Sequence, residues 1–211
     1  MNARSLDLSL YLVLGAADVG GRDVAKVAAA AVKGGVTVVQ LREKTAPTRD
    51  ILDRARRLKA VLDPLGVPLI VNDRVDVALA AEAAGVHLGQ DDMPSEDARR
   101  LLGAGPILGL SVSDAAEART ADPALVDYVG IGATFATGTK ADAGAAIGPS
   151  GVAELRRCVG LPGVAIGGIK AGNAGDLADT GIEGVAVVSA IAGAEDPADM
   201  ASRIRRAFGS P

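Results

Sequence analysis

The polar residues of this 211-residue chain gather in short groups: Gln40-Leu41-Arg42-Glu43-Lys44, Asn72-Asp73-Arg74, Gly89-Gln90-Asp91-Asp92, Ser111 with Ser113, Thr137-Gly138-Thr139-Lys140, Gly167-Gly168 and Ser189. Cations such as Arg42, Lys44 and Lys140 beside glycine turns suit phosphate. A guanidinium offers a fork of donors, an ammonium a point charge, and bare backbone N–H groups fill the gaps. Asp73 and Asp92 could each give one oxygen to a hard cation such as Mg²⁺, with phosphate and water completing the shell. They could equally cap the helix near Val75 and hydrate a loop, and spacing alone leaves both readings open. One histidine and one cysteine cannot supply a zinc site. No Gly-x-Ser-x-Gly elbow is present, and His87 lies in an apolar run where a packing role is the ordinary reading. A Schiff base on Lys44 or Lys140 would want a desolvated amine, which cationic surroundings built for phosphate do not favour.

Each polar group closes a short apolar run. The runs cover 8–14, 36–41, 68–71, 86–88, 107–112, 127–131, 163–166 and 184–188. Helical patterns lie between them at 22–33, 49–62, 75–83, 95–102, 115–120, 149–159, 173–179 and 197–207. Strands alternating with helices pair in parallel, because only a crossover helix returns the chain in the same direction. Near-continuous apolar strands are buried on both faces. Eight such units predict one α/β domain over 1–211, a (β/α)8 TIM barrel rather than an open doubly wound sheet. The chain is short of the roughly 250 residues typical of that fold, so its loops must be tight. Gly34-Gly35, Gly85, Gly103 and Gly181 are expected just past helix ends, with Ser95 and Asp196 as N-caps. Barrel active sites lie at the C-terminal strand ends, where the polar groups stand, and Gly167-Gly168 with Ser189-Ala190 occupy the usual phosphate turns. The Ala/Gly-rich segment 141–147 is expected to form a mobile lid.

Composition excludes other classes. Hydrophobic residues make up 49% of the chain, too many for a disordered protein. With 22 basic against 26 acidic side chains and no basic cluster, no nucleic-acid surface is expected, and four aromatics cannot build a base-stacking platform. The apolar run near the N-terminus is interrupted by Asp7 and Ser9, and nothing approaches the roughly 18 apolar residues of a membrane span. A single cysteine, Cys158, fits a reducing compartment and reads as structural, so a cytoplasmic protein is expected.

Together, Gln40-Leu41-Arg42-Glu43-Lys44, Asn72-Asp73-Arg74, Gly85-Val86-His87-Leu88-Gly89-Gln90 with Asp92, Thr137-Gly138-Thr139-Lys140 and Gly167-Gly168-Ile169 resemble the thiamine-phosphate synthase family. The likeness runs in order from the second strand to the eighth. It implies a compact barrel that joins an aminopyrimidine diphosphate to a thiazole phosphate with Mg²⁺, releasing pyrophosphate. Gln40, Arg42, Lys44, Asn72, Ser111 and Lys140 would then hold the pyrimidine diphosphate, with His87 and Gly89 lining its pocket. Arg42, Lys44, Lys140 and Ser111 would carry the chemistry. Asp73 and Asp92 would hold the metal, and Thr137, Thr139, Gly168, Val188 and Ser189 the thiazole phosphate. The family's implied ionisation of the pyrimidine diphosphate needs a stabilised leaving group and no protein nucleophile. The partners expected are small phosphorylated molecules, with homo-oligomers left open.

Two positions depart from the family pattern: Ser113 replaces a usual histidine, and Ala133 stands where proline is frequent. Two other functions share the resemblance. One is an isomerase like the thiazole tautomerase, disfavoured by the intact aspartate pair and Thr-x-Thr-Lys loop. The other is a non-catalytic thiamine-phosphate binding protein, hinted at only by Ser113.

Overall fold

The computed structural model describes residues 6–138 and 145–209. Eight parallel strands close on themselves in chain order: β1 (Leu10–Leu14), β2 (Val38–Leu41), β3 (Leu69–Asn72), β4 (Gly85–Leu88), β5 (Ile107–Val112), β6 (Tyr128–Ile131), β7 (Gly163–Ile166) and β8 (Gly184–Val187). β1 pairs with β8 through Leu10↔Val185, which closes the barrel expected from the alternation. The helices ring it: α1 (Val24–Lys33), α2 (Thr48–Leu62), α3 (Val75–Ala80), α4 (Ser95–Leu102), α5 (Ala115–Thr120), α6 (Gly148–Cys158), α7 (Ser189–Ala192) and α8 (Pro197–Phe208).

Strand alternation divides the core in two. Outward residues such as Leu12, Val39, Val71, Val129 and Val185 pack against helix faces carrying Val27, Leu58 and Ile204. Inward residues Tyr11, Val13, Val38, Ile70, Ile107, Tyr128, Val164 and Ala186 fill the barrel itself. Burying each aliphatic side chain contributes about 1.5–3 kcal/mol before chain entropy is subtracted. The inward stripe turns polar toward the strand ends, at Gln40, Asn72, His87 and Ser111.

Some boundaries differ from the sequence reading. Ser95 is the first helical residue of α4 rather than its cap, because Pro94 before it is already extended (φ −53°, ψ 141°). Asp196 does cap α8, accepting from the backbone N–H groups of Ala198 and Asp199. Gly85 does not follow a helix end but opens β4, where a Cβ would lie 2.1 Å from the Ile107 carbonyl oxygen. The segment expected as a helix over 173–179 is a 3₁₀ helix (Ala174–Thr180), wedged where a Cβ on Gly175 would stand 3.1 Å from the Ala207 oxygen. Cys158 ends α6 exposed to solvent, so it packs no core. No described helix is long and apolar enough to cross a membrane.

Candidate active site

A cavity of about 830 Å³ opens at the C-terminal ends of the strands. Among its walls are Gln40, Arg42, Lys44, Asn72, Asp73, His87, Gly89, Asp92, Ser111, Thr137, Gly168, Val188 and Ser189. Every described residue given a site role by the sequence therefore lines one space. Thr139 and Lys140 lie outside the described residues, as do positions 141–144 of the expected lid.

The charged wall is built by β2, β3 and β4. Lys44 Nζ donates to Asp73 Oδ2 at 2.6 Å, and Asp92 Oδ2 accepts the Gly89 backbone N–H at 2.7 Å. Asp73 adopts φ 61°, a left-handed conformation that asparagine and aspartate tolerate better than other side-chain residues. Its backbone N–H is pinned to the His87 carbonyl oxygen at 2.8 Å. Asp73 caps nothing: α3 starts after Arg74 with no side-chain cap, which removes the capping explanation. Burial raises the Asp73 pKa above the usual aspartate value, and the neighbouring Asp92 carboxyl pushes the same way against the lowering by Lys44. Two crowded, oxygen-only carboxylates fit a hard divalent cation. No described cluster has the three side-chain ligands of a protein-only site, so substrate and water would supply the remainder.

Behind Arg42, the motif's acid has a structural task. Glu43 Oε1 accepts from the Ala16 backbone N–H at 2.8 Å and pairs with Arg54 at 3.1 Å, tying the β1 loop to β2 and α2. A separate hollow of about 400 Å³ near α1 contains Arg22, Arg54 and Arg57. These cations are already used: Arg22 donates to three carbonyls, Arg54 pairs with Glu43 and Arg57 with Asp23.

The opposite wall is built around a glycine turn, with Thr137, Lys170 and Ser189 beside it. Gly167 and Gly168 have φ 102° and 66°, and a Cβ at 168 would meet the Ala136 oxygen at 2.7 Å. The β6 loop is strapped onto this turn: the backbone N–H groups of Thr134 and Phe135 donate to Ile166 and Gly167 oxygens at 2.8 and 2.9 Å. Asn173 Nδ2 holds the Gly168 carbonyl from behind at 3.0 Å.

His87 lies inside the barrel, not on its packed outer face. Its Nε2 is 3.0 Å from Ser111 Oγ and its Nδ1 2.9 Å from the Tyr128 hydroxyl. Sequence reasoning did not select Tyr11, Glu117 and Lys170, and named Gln90 without a role; all four also line the cavity. Tyr11 could have been found, since it alternates with outward Leu10 and Leu12 on a strand whose inward stripe leads to the mouth. Ser113, the departure on β5, donates backbone N–H and Oγ to Glu117 Oε2 at 2.6 and 2.8 Å, so it closes the start of α5.

Comparison with known proteins agrees with this geometry. Residues 10–191 match the family model described as thiamine monophosphate synthase. The chain is 52% identical over 204 residues to the thiamine-phosphate synthase of Xanthobacter autotrophicus, covering 97% of both chains. It is 50% identical over 199 residues to that of Albidiferax ferrireducens, covering 94% of this chain and 91% of the relative. The solved thiamine phosphate pyrophosphorylase of Pyrococcus furiosus superposes with a TM-score of 0.86 at 35% identity, covering 96% of each chain. By sequence over nearly its whole length and by fold, this chain belongs to the thiamine monophosphate synthase family.

Proposed function

We propose that the chain is a thiamine-phosphate synthase, a transferase that condenses 4-amino-2-methyl-5-(diphosphooxymethyl)pyrimidine with a thiazole phosphate, carboxylated or plain, and releases pyrophosphate. The observation that carries this reading is the convergence of an acid–cation wall and a glycine-turn wall on one cavity at the strand ends. Two phosphorylated molecules must meet there, and each wall suits one of them.

Arg42 and Lys44, with Lys140 beyond the described residues, hold the diphosphate and favour the charge that grows on it as the methylene C–O bond breaks. The bond's electron pair leaves with pyrophosphate, and the thiazole nitrogen lone pair forms the new C–N bond. Asp73 and Asp92 would hold Mg²⁺ against the diphosphate. Bound there, the cation would supply charge neutralisation to the leaving group. Gln40, Asn72, His87, Gly89 and Ser111 orient the pyrimidine, while Thr137, Thr139, Gly168, Val188 and Ser189 seat the thiazole phosphate. No protein nucleophile is required by this chemistry.

The test is a coupled assay of purified protein with both substrates and Mg²⁺, scoring thiamine phosphate and pyrophosphate, with an EDTA control. Metal-dependent appearance of both products in equal amounts is expected. Isomerised thiazole without pyrophosphate would replace this reading with the tautomerase one. Ligand-induced stabilisation without turnover would leave a binding protein.

A further inference from the structure

A row of buried polar side chains crosses the barrel beneath the cavity. Gln40 Nε2 donates to the Tyr11 hydroxyl at 2.9 Å, and that hydroxyl lies 2.7 Å from the Tyr128 hydroxyl. The Tyr128 hydroxyl is 2.9 Å from His87 Nδ1, and His87 Nε2 is 3.0 Å from Ser111 Oγ. Both tyrosines are 1% exposed and Gln40 is 4% exposed, so water does not compete for the bonds among these three. The barrel makes room for the row. A Cβ on Gly109 would stand 2.3 Å from the Tyr128 ring and 2.4 Å from His87 Nδ1.

The protons follow by elimination. Burial raises the pKa of both phenols, so each keeps one proton to give. Tyr11 accepts from Gln40, so its own proton goes to the Tyr128 oxygen, and the Tyr128 proton goes to His87 Nδ1. A neutral imidazole that accepts at Nδ1 carries its proton on Nε2 and donates to Ser111 Oγ. The Ser111 proton is then left for the cavity, which Gln40 also lines, so its Oε1 and second amide N–H are the groups it can offer there. Reversing one link would require reversing all of them, together with the Gln40 amide.

We propose that these five side chains form one hydrogen-bond chain of fixed polarity, and that Tyr11 and Tyr128 are positioning residues through which the pocket selects a 4-amino over a 4-oxo pyrimidine. The proposal rests on the synthase reading of the cavity. An aminopyrimidine edge sets an N–H donor beside a ring-nitrogen acceptor, which an amide oxygen with its neighbouring N–H complements. A 4-oxo ring in its lactam form presents the opposite pair, leaving buried polar groups facing their own kind.

His87 is the chain's only histidine, so nitrogen NMR of isotopically labelled, tag-free protein reads its tautomer without ambiguity. The expected result is a proton on Nε2 with Nδ1 bare, and loss of that single tautomer in a Tyr128→Phe variant shown to be folded by circular dichroism. A proton on Nδ1 or on both nitrogens in the wild type, or an undisturbed tautomer in the variant, would overturn the polarity. In kinetics, Tyr128→Phe and Tyr11→Phe should each narrow the preference for the amino substrate over its 4-oxo analogue by about tenfold, the size of one net hydrogen bond. The change should appear in the KM for the pyrimidine diphosphate and spare that for the thiazole phosphate. Wild-type discrimination retained in both variants would sink the proposal. Should Tyr128→Phe fail to fold, Tyr11→Phe and the wild-type spectrum still decide. A wild type without synthase turnover would refute the function, while the spectrum would still report the polarity.

Discussion

The two walls of the cavity differ in what they offer an anion. On the β2–β4 side the work falls to side-chain charge: Arg42, Lys44, Asp73 and Asp92, with the Lys44–Asp73 pair at 2.6 Å. The β6–β8 side is built around main chain, with Gly167 and Gly168 at positive φ and the β6 loop strapped across them, and with Thr137, Lys170 and Ser189 beside the turn. Charge can be shared with a metal and reorganised as a bond breaks; backbone N–H groups are fixed. On the proposed function, a leaving group that gains negative charge during reaction would meet the adjustable wall, whereas a phosphate that only anchors its substrate would meet the rigid one.

Removing charge should have the largest effect. Asp73→Asn keeps a residue tolerant of φ 61° and the pinned backbone, so turnover should fall by a factor on the order of 10³ or more with the fold intact by circular dichroism. Near-normal turnover would mean the leaving group is handled elsewhere. Gly168→Ala strikes the rigid wall. Its Cβ would press on the Ala136 oxygen at 2.7 Å in a backbone conformation costly by roughly 1–2 kcal/mol, so the thiazole phosphate KM should rise about tenfold with kcat less affected. A KM change confined to the pyrimidine diphosphate would reverse the assignment of walls.

Ionic strength sharpens the contrast more gently. Raising salt from about 0.01 to 0.15 M shortens the screening length from roughly 30 to 8 Å, so the pyrimidine diphosphate KM should rise several-fold more than the thiazole phosphate KM. Below both walls, the tyrosine floor sets an alkaline limit. Unfolded tyrosines lose protons near pH 10, whereas burial raises the pKa of Tyr11 and Tyr128 in the folded chain. Above that pH the folded state binds more protons than the unfolded one, so stability falls as pH rises. With only these two tyrosines, phenolate absorbance should stay absent past pH 10 and appear together with unfolding. The smallest effect is expected from Ser113→His, which exchanges one exposed bond to Glu117: activity should be unchanged or slightly raised in the same coupled assay.

The barrel was legible because its alternation is repeated eight times, so errors of a residue or two at β1 or β3 left the topology untouched. The site was legible because its residues close strands, and a closed barrel brings all strand ends to one rim. What escaped lay in the interior. Tyr11 and Tyr128 are aromatic residues among aliphatic neighbours, and a count of aromatics says nothing about which strand face they occupy. Their partnership spans 117 positions of sequence and depends on Gly109 leaving space, a relation visible only once β1 and β6 face each other across the barrel. Gly85 misled for a related reason: a glycine after a helical pattern can end the helix or admit the next strand, and here it admits β4 against β5.

On the proposed function, a phosphate handle built around main chain would also shape what evolution can do with this barrel. Side-chain substitution cannot retune backbone N–H groups, and the glycines that shape the turn admit few replacements. New specificities would therefore arise on the β2–β5 side, where each strand end offers a replaceable side chain, while the β6–β8 turns would pass on as a ready-made grip for a phosphorylated substrate.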